Sequence, residues 1–446
     1  MATSTYLTRT GTSGNQKTFT FAGWFKIKPE VQNFCWTAGI YSSTIMSQCY
    51  FESDGTFVIN HFNATPTQLY NLVTDRLFRD PAAWYHVVVA MDTTQAVAAD
   101  RTKIYINGVQ ETSFSTETYP VEDYDTAFNS TLTQSIGRRD GSSTYYDGVM
   151  AHLHAADGLA YAPTVFGEVD STSGIWVAKT SPSVTYGTNG GFYKFASGAL
   201  GTDSSGEGNN MTVTGTMTNT KDTPDNNFAT MNPLDNFYQG MTYSQGNNTI
   251  VTANSAPSTS TIGLDSGKWY CESKAVSTTG GADWIAGITS NNLNGTSNEL
   301  GHFANDWGYK GVNGSVRTGN LDGAYGNTWG TGDIIGTALD LTNNKLYFSK
   351  NGVWQNSGVP TSGATGTGAI SISLGTNDAS KGAFFIAAGC ETASEEYTWS
   401  MNFGNGYFGT TSHGETNADD AGIGLFKYDV PAGYYAICTN NLGDQS

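Results

Sequence analysis

Charge is scarce in this chain, and basic charge is scarcest. Only 13% of its 446 residues are Asp, Glu, Lys or Arg, about half the usual share for a soluble domain. The 21 Lys and Arg are outnumbered by 39 Asp and Glu, leaving a net charge of −18. Nucleic acids and anionic membranes are both recognised through clustered cations, so neither is an expected partner. No apolar run approaches the length of a membrane span, and the opening "MATSTYLTRT" lacks the apolar core of a secretory leader. The five cysteines are odd in number and contain no C-x-x-C pair, which argues against a zinc site. A Cys35–Cys49 disulfide is geometrically open, but buried free thiols are the preferred reading, in a chain made in a reducing cytoplasm. Helical periodicity is nearly missing as well.

Glycine (54 residues) and aromatic residues (13%) fill the gap, together with abundant Thr, Ser and Asn. Sequons such as Asn63-Ala-Thr are expected by chance in such a composition. The chain has apolar mass to bury and a surface of hydroxyls and amides, which suits turn-rich β-sandwiches. Strand signals recur throughout. "FTFAGWFKIK" (19–28) alternates, "FVINHF" (57–62) follows an Asp-Gly turn, and "WYHVVVAMD" (84–92) reads as a strand buried on both faces. "APTVFGE" (162–168) predicts a short helical turn with Pro163 near its start. "KIYINGVQ" (103–110) and "KLYFSKNGVWQ" (345–355) each place Asn-Gly between two strands, the signature of a type I′ hairpin. The repetition predicts an all-β chain of two antiparallel β-sandwich (jelly-roll type) domains, at residues 1–196 and 241–446. Between them, 197–240 is Gly/Asn/Thr-rich with few large apolar residues. That segment reads as a connector or strap.

Longer motifs point to known families. "FTFAGWFKIK", "AAWYHVVVAMD", "TKIYINGVQ" and "SIGRRDGSSTYYDGVMAHLHAADGLA" resemble the laminin-G/concanavalin A-like lectin superfamily. "LDSGKWYCE", "GDIIGTALDLTNNKLYFSKNG" and "NFGNGYF" resemble the SPRY domain. The segment between them and the ending "PAGYYAICTNNLGD" are similar to marine bacteriophage virion proteins that join these two modules. The resemblance implies a concanavalin A-like and a SPRY-like sandwich in a virion protein, in multiple copies beside other virion proteins. Its expected role is non-enzymatic adhesion to host surface glycan or protein, as a tail fibre or capsid appendage. The alternative is a purely structural decoration or cement protein, and a polysaccharide hydrolase ranks third. Calcium is open for a laminin-G relative, but its ligands cannot be mapped onto this sequence, and no other cofactor or metal is expected.

Hydrolysis of glucans needs paired carboxylates on one strand. Glu168 and Asp170 lack the further glutamate of an E-x-D-x-E pattern, and Glu395 and Glu396 are adjacent and so point to opposite faces. No G-x-S-x-G, H-E-x-x-H or P-loop motif occurs. His152 and His154, with His86 nearby in the fold, have no accompanying carboxylate or Cys at ligand-like spacing and read as hydrogen-bonded or exposed groups. Aromatics beside amides and carboxylates are the better lead, because sugars stack their C–H faces on rings and pair their hydroxyls with polar neighbours. The expected contacts are Asn305, Asp306, Trp307, Tyr309 and Trp329 on SPRY-side loops, with Tyr145, Tyr146 and Asp147 of the first domain as second choice.

Overall fold

The computed structural model describes residues 4–41, 45–63, 68–235, 240–252, 255–292, 298–375, 380–392 and 394–445. Strand accounts for 45% of the chain and helix for 5%, which settles the all-β class. The chain divides into two compact units, Met1–Asn219 and Thr220–Ser446.

In the first unit an eight-stranded sheet runs, in spatial order, Phe114–Thr118, Gln68–Thr74, Phe57–Asn63, Ile45–Phe51, Asn33–Gly39, Thr133–Ile136, Tyr6–Thr10 and Thr212–Thr214. The facing six-stranded sheet runs Gly191–Tyr193, Gly148–Asp157, Thr18–Ile27, Tyr85–Asp92, Thr102–Ile106 and Val109–Gln110. Alternation drives the packing. Phe19, Phe21, Phe25, Val87, Val89 and Ile104 point inward from one sheet, and Leu7, Trp36, Cys49, Phe51, Ile59 and Leu72 from the other, into one core. Tyr85–Asp92 is buried along most of its length, because Val88 on its outer side is covered by Phe166. Phe166 follows the predicted turn, a 3-10 segment at Pro163–Val165 with Pro at its first position.

The second unit repeats the logic. One sheet orders Thr242–Ser244, Thr249–Thr252, Tyr397–Asn402, Lys268–Thr278, Ile334–Asp340, Lys345–Lys350 and Val353–Trp354, with Ile370–Ser371 added to Lys345–Lys350. Tyr435–Ala436 joins Lys268–Thr278 in parallel, a departure from a purely antiparallel sandwich. The other sheet orders Ser258–Thr259, Ser380–Cys390, Trp284–Asn291, Asp306–Lys310, Ser315–Thr318 and Leu321–Ala324. Trp269, Trp284, Trp399, Tyr309 and Phe348 fill the space between.

The sequence places a connector at 197–240, whereas the units meet at Asn219/Thr220. Residues 197–219 belong to the first unit. Asp203 accepts backbone N–H bonds from Phe192, Ser205 and Asn209, Met211 enters the core, and Val213 pairs with Leu7. Beyond the junction, Phe228, Ala229 and Met231 are buried in the second unit. Polar side chains hold much of this strap, which is why its composition reads as a linker. Cys35 and Cys49 are buried free thiols, like the other three cysteines, with no disulfide.

Candidate functional site

Trp307, Tyr309 and Trp329 are only 5%, 0% and 3% exposed, so the structure moves the SPRY-side contacts from surface loops into the core. Trp307 and Tyr309 lie two apart on the inner strand Asp306–Lys310 and therefore share its core-facing side. Tyr309 stacks on Phe348 at 5.4 Å, and Trp329 packs on Trp399 at 5.8 Å from a Gly-rich turn. Asp306 is fully buried and accepts hydrogen bonds from the Thr289 hydroxyl and the Asn291 amide. Asn305 donates to the Ser373 carbonyl at 2.7 Å and holds its loop in place.

Tyr146 and Asp147 are also framework groups. The Tyr146 hydroxyl lies 3.0 Å from the Lys26 carbonyl and 3.1 Å from that of Val149, and its ring packs on Phe25. Asp147 is buried and pairs with Lys28 at 3.8 Å. Tyr145 differs. It is half-buried and stacks on Tyr6 at 5.9 Å.

The histidines are brought near one another on the outer side of the six-stranded sheet, but as packed groups. Trp176 donates its indole N–H to His86 Nδ1 at 3.0 Å, and His154 Nδ1 shares a 2.9 Å hydrogen bond with the Tyr186 hydroxyl. Burial pushes both rings down to a pKa of about 3. Among the described residues no group of three or more His, Cys, Asp or Glu could hold a metal. Asp170 caps an exposed turn through the backbone N–H groups of Thr172 and Ser173.

The Tyr145–Tyr6 stack leads to a site that sequence reasoning missed. It lies on the side of the eight-stranded sheet turned away from the core. The Arg138 guanidinium sits 4.5 Å over the Tyr6 ring and pairs with Asp140 at 2.9 Å. Its neighbour Arg139 sits 3.3 Å over the ring of Tyr41, which is 38% exposed, and 5.4 Å over Phe34. Backbone bonds fix both stacks: Tyr41 N–H donates to the Asp140 carbonyl, and the Thr37 hydroxyl donates to the Arg138 carbonyl.

Two cross-strand rows continue over the same face. Phe34, Tyr50, Val58 and Val73 are register partners in one row, three of them forming a small apolar cluster with Val73 packed against it. The other row runs Thr8, Ser135, Thr37, Gln48, Asn60 and Asn71, all hydroxyls and amides. Gln48 Oε1 and Nε2, Asn60 Oδ1, Asn71 Oδ1 and Ser135 Oγ are buried without a hydrogen-bond partner. Most buried polar atoms in native proteins are paired, so such a concentration marks an unusual buried polar row, with Thr37, Gln48 and Ser135 closed to solvent. The sequence signal was present in part: "IGRR" places two arginines at a strand end in a chain with few cations. Tyr6 and Tyr41 reach them only through strand pairing.

Residues 2–160 match the model of the concanavalin A-like lectin/glucanases superfamily in its laminin-G form, and residues 268–389 match that of the SPRY domain. Comparison with curated proteins gives no match. Among solved structures, the SPRY domain of human HERC1 is similar at 13% identity and TM-score 0.24, covering 34% of this chain and 87% of that one. A heptameric SAP-like pentraxin from Limulus polyphemus is similar at 15% identity and TM-score 0.28, covering 41% and 89%. A further human SPRY domain is similar at 15% identity and TM-score 0.24, covering 34% and 91%. The chain therefore carries a laminin-G/concanavalin A-like domain followed by a SPRY domain.

Proposed function

We propose that this is a non-enzymatic bacteriophage virion protein, a tail fibre or capsid appendage, that adheres to host surface glycan or protein. The observation that carries the binding part is the pair of arginine–tyrosine stacks on the outward side of the eight-stranded sheet. Tyr and Arg are the side chains most often found at binding hot spots. Here their rings and guanidinium groups are already ordered, which lowers the entropy lost on binding. The virion part rests on the resemblance of the central strap and the ending to phage virion proteins. Other virion proteins are then its standing partners, in a multi-copy assembly.

The test is a glycan array probed with the purified full chain and with Tyr6→Ala and Tyr41→Ala. The reading expects specific hits that weaken roughly tenfold or more in the variants. Hits that both variants retain in full would remove this face from the reading.

A purely structural role is the second reading. Val109, Val169 and Ile175 are 61%, 60% and 63% exposed. Val169 pairs with Trp176, and Ile175 precedes it in the chain, while Gly108 of the hairpin abuts the Trp176 ring. Such a patch suits contact with another protein. Binding only to purified virion proteins, with an empty glycan array, would favour it.

A further inference from the structure

We propose that His86 is a proton-sensitive latch: its neutral ring holds the hairpin 167–178 on the outer side of the six-stranded sheet, and protonation releases the hairpin and uncovers Trp24 and Trp84. The chemistry of one hydrogen bond sets the direction. An indole N–H can only donate, so the 3.0 Å bond from Trp176 Nε1 requires a lone pair on His86 Nδ1. A protonated imidazole carries a proton on both ring nitrogens. Two donors would then face each other, and the contact that pins Trp176 would turn repulsive. Among the described residues, this is the one hydrogen bond that runs from the hairpin to the sheet. The hairpin itself is small, Gly167–Val169 paired with Trp176–Ala178, and carries the exposed Val169 and Ile175. Trp176 and Ala178 pack on Trp24, Trp84 and Ala151. Beneath them Trp24 and Trp84 are only 4% and 9% exposed.

The surroundings of His86 offer an imidazolium no welcome. Its ring lies 4.7 Å from that of Trp24, its register partner on Thr18–Ile27. Lys26, two positions along that strand, shares the same side of the sheet. Tyr105 contributes a phenol from Thr102–Ile106. Gly148–Asp157 brings two more imidazoles. A bulge there, with His152 at a φ of 50°, keeps Leu153 in the core and turns His154 outward to Tyr186. His152 lowers the proton affinity of both His86 and His154, and Lys194 acts on His154 in the same sense. The carboxylates of the hairpin are placed elsewhere: Glu168 is exposed, and Asp170 caps its own turn. Burial thus keeps His86 neutral while the hairpin is closed. Once the hairpin lifts, the ring meets water and regains the ordinary imidazole affinity. Below pH 6.5 the open form then gains about tenfold per pH unit from His86 alone.

The experiment is hydroxyl-radical footprinting of the full chain from pH 7.5 to 4.5. Side-chain oxidation is read at Trp24, Trp84 and Trp176, with Trp36 in the core of the same unit as the internal control. The expected result is oxidation of the first three that climbs below pH 6.5 while Trp36 stays protected, and that reverses on return to pH 7.5. His86→Gln keeps a side-chain oxygen that accepts from Trp176 but takes up no proton, so it should stay closed across the range. His86→Asn is a second neutral acceptor if the first variant folds poorly. His154→Gln should leave the rise in place. The parent profile alone decides two points without any variant. A flat profile at Trp24 and Trp84 would overturn the latch, and so would Trp36 oxidising in step with them, which means the whole unit unfolds. A rise that a folded His86→Gln or His86→Asn retains, or one that His154→Gln abolishes, would overturn the assignment to His86.

Discussion

Asn107 and Asn351 perform the same task in the two halves of the chain. Asn107 accepts the His86 backbone N–H on its side-chain oxygen at 2.8 Å and donates its own N–H to the His86 carbonyl at 2.9 Å. Asn351 does the same with Ile334, at 2.9 Å and 2.8 Å. Each takes a positive φ, 48° and 49°, and is followed by a glycine at 81° and 80°. The side chain thus ties the tip of its hairpin to the neighbouring strand, while the turn itself demands the left-handed backbone that Asn and Gly tolerate.

Those glycines are required twice over. A Cβ on Gly108 would lie 2.6 Å from the Trp176 ring, and one on Gly352 would lie 2.6 Å from the Tyr428 ring. Gly108→Ala and Gly352→Ala should therefore each cost more than the ~1 kcal/mol of a left-handed alanine alone. Each should act on the unit that contains it. Urea unfolding followed separately through the two units checks this. A loss well under 1 kcal/mol would mean the rings yield freely.

Trp307 and Tyr41 should behave in opposite ways. Trp307→Ala removes a core ring and should cost about 3–5 kcal/mol. Tyr41→Ala trims a ring more than a third exposed and should leave the melting temperature nearly unchanged while weakening ligand capture. Thermal melts of both variants beside the array measurement distinguish the two roles.

The contrast also shows what the sequence carried. Strand identity, the paired hairpins and the short turn at Pro163 follow from local chemistry, so they were legible. The direction of a ring was legible only in part. Trp307 and Tyr309 have the i, i+2 spacing of a core-facing strand, but neighbouring Asn, Asp and Gly residues suggested a loop. The arginine–tyrosine face was hidden for a different reason. Tyr6 and Arg138 are 132 positions apart by their numbers, and only the pairing of Tyr6–Thr10 with Thr133–Ile136 brings them together. The strap at 197–219 was obscured because Asp203 and its hydrogen bonds do much of the work usually given to apolar side chains.

The two units should respond to acid in opposite directions. Glu272 is fully buried, and burial pushes its pKa up to about 7, against hydrogen bonds from Lys427 N–H, Tyr428 N–H, Asn402 and Tyr270. A raised carboxyl pKa favours the folded state below its unfolded value of 4.5, and this stability is lost as pH rises toward 7. The full span is on the order of 3 kcal/mol. His154 in the first unit is lowered from 6.5 to about 3 by burial. It should therefore stabilise its unit above pH 6.5 and progressively fail to as pH falls. Melting each unit across pH 4.5–7, with Glu272→Gln and His154→Phe as controls, should flatten the corresponding slope. A Glu272→Gln profile parallel to the parent would show that the carboxyl titrates outside this window.

Gln48 provides the most discriminating substitution on the outward face. Its two side-chain polar atoms are buried and unpaired, in a row where Thr37 and Asn60 are its cross-strand partners. An unpaired buried amide weakens a fold, by about 1–3 kcal/mol relative to an apolar group of similar shape. Gln48→Leu removes that penalty at nearly constant volume, so the variant should be as stable as the parent or more so. A polar row that serves only the fold would give the reverse result, since its amides would be bonded and their loss would destabilise. Melting measurements on Gln48→Leu beside the parent decide between these. A stability loss above about 1 kcal/mol would show the amide to be satisfied in the folded protein.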